Sequence, residues 1–159
     1  MDHGSLPGQM ELVLFVGMQA SGKSSFYRER FFNSHIRINL DMLKTRHRED
    51  IIFQACLAAK QPCVLDNTNP TAAERAPYIH AARAAGFRVI GYYFRSRLEE
   101  CRERNQARAG REVIPDGGLR GTHSKLEIPQ PNEGFNALYY VRIDSPGTFA
   151  VEEWKNEVR

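Results

Sequence analysis

The sequence predicts a three-layer α/β domain in which a mostly parallel, roughly five-stranded sheet is covered by helices on both faces. Three observations carry this expectation. Short apolar runs alternate with helical stretches of about ten to fifteen residues, which is the grammar of strand-helix-strand crossovers. The first apolar run ends in a glycine-rich turn. The length of 159 residues, 42% of them apolar or aromatic, supports one core and not two.

Met1 to Gln9, with Gly4, Ser5, Pro7 and Gly8, has no apolar period and is expected to be a flexible leader over 1–9, so the domain is placed at 10–159. Leu12 to Val16 is an unbroken apolar run ending at Gly17, the pattern of a central strand buried on both faces. From Lys23 the spacing of Phe26, Arg30 and Phe31 suits a helix. Ile36 to Ile38 is a short strand, and Asp41 is expected to cap the helix that follows. Ile51 to Ala59 suits a helix ending near Lys60, and Cys63 to Leu65 a buried strand closed by Asp66. An Ala-rich helix runs from Ala72 to Ala85 and stops at Gly86. Arg88 to Phe94 is a third buried strand, Leu98 to Arg108 a polar helix, and Leu138 to Ile143 a last strand.

Composition removes several classes. With nine Phe and 26% charged residues the chain has the apolar surface that disordered chains lack. No stretch approaches the roughly 20 apolar residues that span a bilayer, and no basic start leads into an apolar signal core, so a cytoplasmic protein without a membrane partner is expected. Cys56, Cys63 and Cys101 are odd in number and show no C-x-x-C spacing, which reads as buried thiols. The five histidines are too scattered for a local metal pair. The net charge of +3 is unevenly placed: residues 36–48 carry four Lys/Arg against one acid, and 126–159 carry three against six. A local cationic excess of this kind attracts phosphate-rich ligands.

Gly17-Met-Gln-Ala-Ser-Gly22-Lys23-Ser24 matches the P-loop pattern G-x-x-x-x-G-K-[ST], and it stands between a buried strand and a helix as that motif requires. Glycines let backbone N–H groups point at phosphate oxygens, and the helix start adds its positive dipole end. ATP and Mg²⁺ are the cofactors this implies. Gly17, Ala20, Ser21, Gly22, Lys23, Ser24 and Ser25 are the expected nucleotide-binding residues, with Lys23 on the β/γ-phosphates and Ser24 on the metal. Cys63-Val-Leu-Asp66 supplies a strand ending in a carboxylate, so Asp66 is the second expected metal residue. The guanine-reading tetrad N-K-x-D does not occur in the chain. A kinase needs a base beside the γ-phosphate and cations that follow the transferring group.

Several segments together resemble the P-loop kinase domain of the polynucleotide 5′-kinase family, of the phage and animal end-healing type. They are Gly17 to Ser24, Ile38-Asn39-Leu40-Asp41, Leu65-Asp66-Asn67-Thr68-Asn69-Pro70, and Arg104 to Gly110 running on to Pro115. The resemblance covers nearly the whole chain. It implies a kinase-like P-loop fold with a helical lid over about 97–127, and transfer of the ATP γ-phosphate to a 5′-hydroxyl end of DNA or RNA. It further implies Asp41 as the general base and Arg104 and Arg108 as lid residues on the ATP phosphates. Residues four apart share one helix face, so both arginines could reach one phosphate chain. Asp41, Lys44, Asp66, Thr68 and Asn69 are the expected acceptor-side residues.

Two positions depart from the family. Leu40 stands where an Arg commonly precedes the Asp, and Lys44 stands where the phage-type enzyme has an Arg on the substrate 3′-phosphate, a charge without the bidentate fork. No D-x-D-G-T phosphatase run occurs in these residues. Two other readings therefore stand beside the first: a kinase of the same fold acting on a sugar, nucleoside or nucleotide sugar, and a module that binds ATP without transferring phosphate.

Overall fold

Leu12, Val13, Leu14, Phe15 and Val16 are all buried because β1 (Glu11–Val16) has strands on both sides and helices on both faces. The computed structural model of the protein describes residues 10–108, 110 and 113–155. The expected leader lies outside the described residues. After β1 come α1 (Lys23–Arg30), β2 (Ile36–Ile38), α2 (Leu40–Leu43), α3 (Arg46–Ala59), β3 (Cys63–Leu65), α4 (Ala72–Ala84) and β4 (Arg88–Phe94). The chain continues through α5 (Leu98–Gln106), α6 (Asp116–Lys125), a 3₁₀ turn (Pro131–Glu133), β5 (Ala137–Ser145) and β6 (Thr148–Glu153).

The six strands lie in the order β2-β3-β1-β4-β5-β6. The first five are parallel, and β6 runs antiparallel to β5. Alternation along β1 divides the core, as a two-residue strand period requires. Leu12, Leu14 and Val16 pack with Phe53 of α3 and Ile79 of α4, whereas Val13 and Phe15 pack with Phe26 and Tyr27 of α1. The second half is aromatic-rich: Phe15 meets Phe94 edge-on at 4.9 Å, and Phe26 meets Phe149 of β6 at 5.2 Å.

All five expected strands are present, so the predicted α/β architecture holds, but the sheet has six strands rather than roughly five. The sixth, Thr148–Glu153, holds only the short apolar run Phe149, Ala150 and Val151; it is a half-exposed strand turned back by Gly147, whose φ is +80°. Beyond it Trp154 donates its backbone N–H to Leu138 O at 3.0 Å, and its ring meets Tyr93 edge-on at 6.0 Å.

Helix boundaries differ where caps decide them. The expected cap Asp41 lies inside the first turn of α2, and Asn39 is the cap, its side-chain oxygen accepting the Met42 N–H at 3.0 Å. Thr45 caps the Arg48 N–H at 3.2 Å, so α3 starts at Arg46, ahead of the apolar period that begins at Ile51. The helix expected to reach Arg108 ends at Gln106. A second helix, α6, follows although Gly117, Gly118 and Gly121 give it poor propensity. Its Leu119 packs with Cys101 of α5 against Met18 and Ala20, and this contact holds it. The three cysteines are buried thiols, as expected. Among the described residues no helix is long and apolar enough to cross a membrane.

Candidate active site

Gly17 follows β1 at a point where a Cβ would lie 2.8 Å from Ser21 Oγ and 2.9 Å from Phe94 Cβ, so only glycine fits the turn. Gly22, at φ +102°, provides the left-handed residue that opens α1. Lys23 folds back across the loop, donating from Nζ to Met18 O at 2.8 Å and to Gly17 O at 2.9 Å. Enclosure in the loop pushes the Lys23 ammonium down to about 8, with Asp66 and Asp41 pulling it up and Arg108 pushing it further down. Ser21 Oγ is buried and has no hydrogen-bond partner among the described residues. A buried hydroxyl without a partner, a lysine and a helix start in one loop fit a polyphosphate.

Asp66 directly follows β3 beside this loop and is only 1% exposed. Its backbone N–H donates to Ile38 O at 2.8 Å, and its backbone oxygen accepts Asn39 Nδ2 at 2.6 Å, so the ends of β2 and β3 are fastened together. Ser24 Oγ donates to Asp66 Oδ2 at 3.3 Å. One hydroxyl and one carboxylate are the hard oxygen donors suited to Mg²⁺, with the remaining ligands left to phosphate and water. Arg37 of β2 also reaches this pair, a contact the sequence did not reveal.

Asp41 is exposed in the first turn of α2 and lies within electrostatic reach of Lys23. Asn67 supports that turn: its Oδ1 accepts the Leu40 N–H at 2.9 Å, while its Nδ2 donates to Glu49 Oε2 at 2.9 Å. Glu49 is buried and also accepts from Arg46 and the Tyr78 hydroxyl. Asn67 and Glu49 were not among the expected site residues. The Asp-Asn-Thr-Asn-Pro run contained the first, but only the fold brings α3 to it.

Two residues of that run bond back to the first strand and its loop. Thr68 O accepts the Gly17 N–H at 3.0 Å. Asn69, expected on the acceptor, is 5% exposed and donates from Nδ2 to Phe15 O at 2.7 Å, so the structure places it beneath the loop as a staple. The strand end is held from behind by Arg75, which donates to Asn69 O at 2.8 Å and takes Glu133 in a two-pronged pair at 2.8 and 3.1 Å. Lys44 is exposed at the end of α2, with φ +75°.

From the other side α5 brings Arg104 onto the loop, with Nε donating to Ala20 O at 2.6 Å. Ala20 itself is left-handed at φ +63°. Gln19 Nε2 donates to Thr122 Oγ1 of α6 at 3.0 Å. Glu100, the nearby acid, pairs with Arg95 at 2.7 Å and Arg97 at 3.7 Å. Arg104 and Arg108 line a cavity of about 220 Å³ with Gly22, Ser25 and Phe149. The structure therefore brings Lys23, Ser24, Asp41, Asp66, Arg104 and Arg108 to one end of the sheet, the carboxyl ends of its parallel strands.

Residues 12–126 match the AAA domain family. The bifunctional polynucleotide phosphatase/kinase of Schizosaccharomyces pombe is 28% identical over 129 residues, covering 79% of this chain and 32% of that protein. The chain thus spans about a third of the length of this relative. Two solved structures share the fold. A gluconokinase from Sinorhizobium meliloti aligns with TM-score 0.59 and 17% identity over 86% of this chain and 85% of its own. Chaetomium thermophilum Kti12, solved with ADP-AlF3, aligns with TM-score 0.60 and 19% identity over 84% and 89%. At these identities the likeness is one of fold, that of kinase-like P-loop domains.

Proposed function

The chain belongs to the AAA domain family, and from that premise we propose that it is an ATP-dependent kinase transferring the γ-phosphoryl group to a 5′-hydroxyl end of DNA or RNA. One observation carries the reading: Asp66 bonds Ser24 of the Lys23 loop, Arg104 bonds Ala20 O of that loop and lines the adjoining cavity with Arg108, and the turn bearing Asp41 is fastened to Asp66 O through its cap Asn39. Phosphate cation, metal carboxylate, lid cation and base thus share a single centre. A nucleotide-binding module that transfers nothing needs the first two and has no use for an exposed carboxylate at that spot.

In the proposed mechanism Lys23 and the loop N–H groups bind the β/γ-phosphates, and Ser24 and Asp66 hold Mg²⁺. The metal would supply positive charge that offsets the negative charge of the phosphates. Asp41 accepts the proton of the acceptor hydroxyl as that oxygen attacks phosphorus. Arg104 and Arg108 stabilise charge that builds on the transferring group and its leaving oxygen. The Asn67 bond to Leu40 N–H keeps the base-bearing turn in place, and the closed contact of α5 and α6 with the loop limits water.

The polynucleotide acceptor is supported by the relative from Schizosaccharomyces pombe and by Lys44, an exposed cation one helical turn beyond Asp41. A second reading, a small hydroxyl acceptor, draws on the other three cations of residues 36–48. Arg37 is tied to Asp66, Arg46 to Glu49, and Arg48 to Leu43 O at 3.1 Å. Labelled-ATP transfer to a 5′-hydroxyl oligonucleotide, run against a panel of sugars and nucleosides, separates the two. Transfer to the oligonucleotide is expected, and Lys44→Ala should reduce the slope of log affinity against log salt by about 0.7, the share of one single-strand phosphate. Transfer confined to the small alcohols would replace the first reading by the second.

A further inference from the structure

Arg37 is paired in register with Val64, one residue before the ends of β2 and β3. From there its guanidinium reaches both groups given above to the metal. Nε donates to Asp66 Oδ2 at 2.7 Å, and Nη2 donates to Ser24 Oγ at 2.9 Å. Ser24 Oγ donates to the same carboxylate oxygen at 3.3 Å, so the three side chains form a closed ring of contacts.

The chemistry of this ring is that of a cation in place. A carboxylate that is 1% exposed is costly to bury alone, and here the guanidinium balances it. Arg37 occupies one of the hydroxyl's two lone pairs and the same carboxylate oxygen, so a guanidinium and a divalent ion crowd the same two oxygens. They also repel each other at close range. The Arg37 side chain is 27% exposed and its carbon lies 5.9 Å from the Tyr27 ring centroid, so it keeps contact with solvent and has a flat surface to lean on.

We propose that Arg37 is the resident cation of the divalent site, making metal binding conditional on nucleotide. This rests on the reading of Ser24 and Asp66 as the metal residues. A bare divalent ion gains only two protein oxygens and must displace a bidentate guanidinium from them. A metal arriving with nucleotide brings phosphate oxygens as further ligands, and the same polyanion gives the displaced Arg37 a new partner. The coupling is reciprocal, so nucleotide raises metal affinity as much as metal raises nucleotide affinity.

The test uses nucleotide-free protein and Mn²⁺, with unbound Mn²⁺ read by its electron paramagnetic resonance signal. Arg37→Gln is expected to bind Mn²⁺ at least about tenfold more tightly than the wild type, within the usual range of coupling between sites. Arg37→Lys, a point charge without the fork, should fall between them. Adding Asp66→Asn to Arg37→Gln should return binding to the weak level. A second readout guards against altered folding: Mn²⁺ should raise the unfolding midpoint of Arg37→Gln and leave that of the wild type unmoved. Equal Mn²⁺ affinity in the wild type and Arg37→Gln overturns the proposal, as does tight binding that survives Asp66→Asn. None of these measurements involves an acceptor or phosphoryl transfer, so failure of the polynucleotide reading leaves them intact.

Discussion

The side-chain amide of Asn39 donates to the backbone oxygen of Asp66 at 2.6 Å, joining the cap of α2 to the residue that follows β3. Because Asp41 stands two residues beyond the cap, the turn that carries it and the strand end that carries Asp66 are one mechanical unit. A change in either carboxylate can therefore be made without loosening the other, provided Asn39 is kept.

On the proposed role of Asp41, Asp41→Asn should bind Mg-ATP as the wild type does and fold with the same midpoint, since the side chain is exposed and caps nothing. Phosphoryl transfer should fall by about 10² to 10⁴, the usual size of a general-base contribution. Single-turnover transfer alongside nucleotide titration checks both halves. Full transfer activity would remove Asp41 from the chemistry.

Arg104→Ala and Arg108→Ala should each slow transfer by about 10² or more, extrapolating from the larger effect of arginine fingers. Their effects on nucleotide affinity should differ. Arg104 already donates to Ala20 O at 2.6 Å, so its removal also frees α5 from the loop. Comparing kcat with KM for ATP distinguishes the two variants, and unchanged kcat in both would reduce them to lid packing.

Lys23 gives a pH dependence whose two parts have opposite signs. Its folded value of about 8 lies below the ordinary lysine value of 10.5, so between them the unfolded chain binds the extra proton. Its contribution to stability therefore rises with pH across that window. Nucleotide binding favours the charged lysine, so affinity should fall above pH 8, by at most about tenfold per unit. Calorimetric titration at stepped pH measures the second trend, and Lys23→Met should abolish it. A flat affinity profile from pH 7 to beyond 9 would contradict the enclosure of the ammonium described above.

Arg75 is fully buried and links Asn69 O to Glu133. Arg75→Ala should cost about 3 to 5 kcal/mol, the usual penalty when one member of a buried pair is removed. Urea unfolding measures it. Restoring only the volume with Arg75→Met should recover little, because Glu133 and the Asn69 carbonyl still lack their donor.

Much of the frame could be read from local pattern. β1, β3 and β4 are continuous apolar runs, and a strand buried on both faces leaves that mark wherever it occurs. β6 leaves a weaker mark, the run Phe149, Ala150 and Val151 between Thr148 and Glu152, on a strand half open to solvent. α6 is hidden by its glycines, and its reason to fold is a tertiary one, Leu119 against Cys101 and Met18. The same division runs through the site. The loop and the Asp66 strand end are each an unbroken stretch of sequence and were legible. Arg37 was counted only as one cation among four, since nothing local says that β2 lies beside β3 in a register that brings its guanidinium to Asp66. Asn69 was expected on the acceptor side, and only the depth of the strand end shows its side chain bonded to Phe15 O.

The ring of Trp154 against Tyr93 gives the protein a built-in optical gauge. It is the only tryptophan in the chain, so its emission comes from one place, the outer end of the β5–β6 hairpin. That place lies across the hairpin from Gly147 and Phe149, which line the cavity beside the lid arginines. Emission from this ring therefore reports whether the last strand is seated, while the loop and lid at the opposite end can be followed by a dye of another colour. Fraying of the sheet edge and movement of the lid become separable signals in a single unlabelled-core sample.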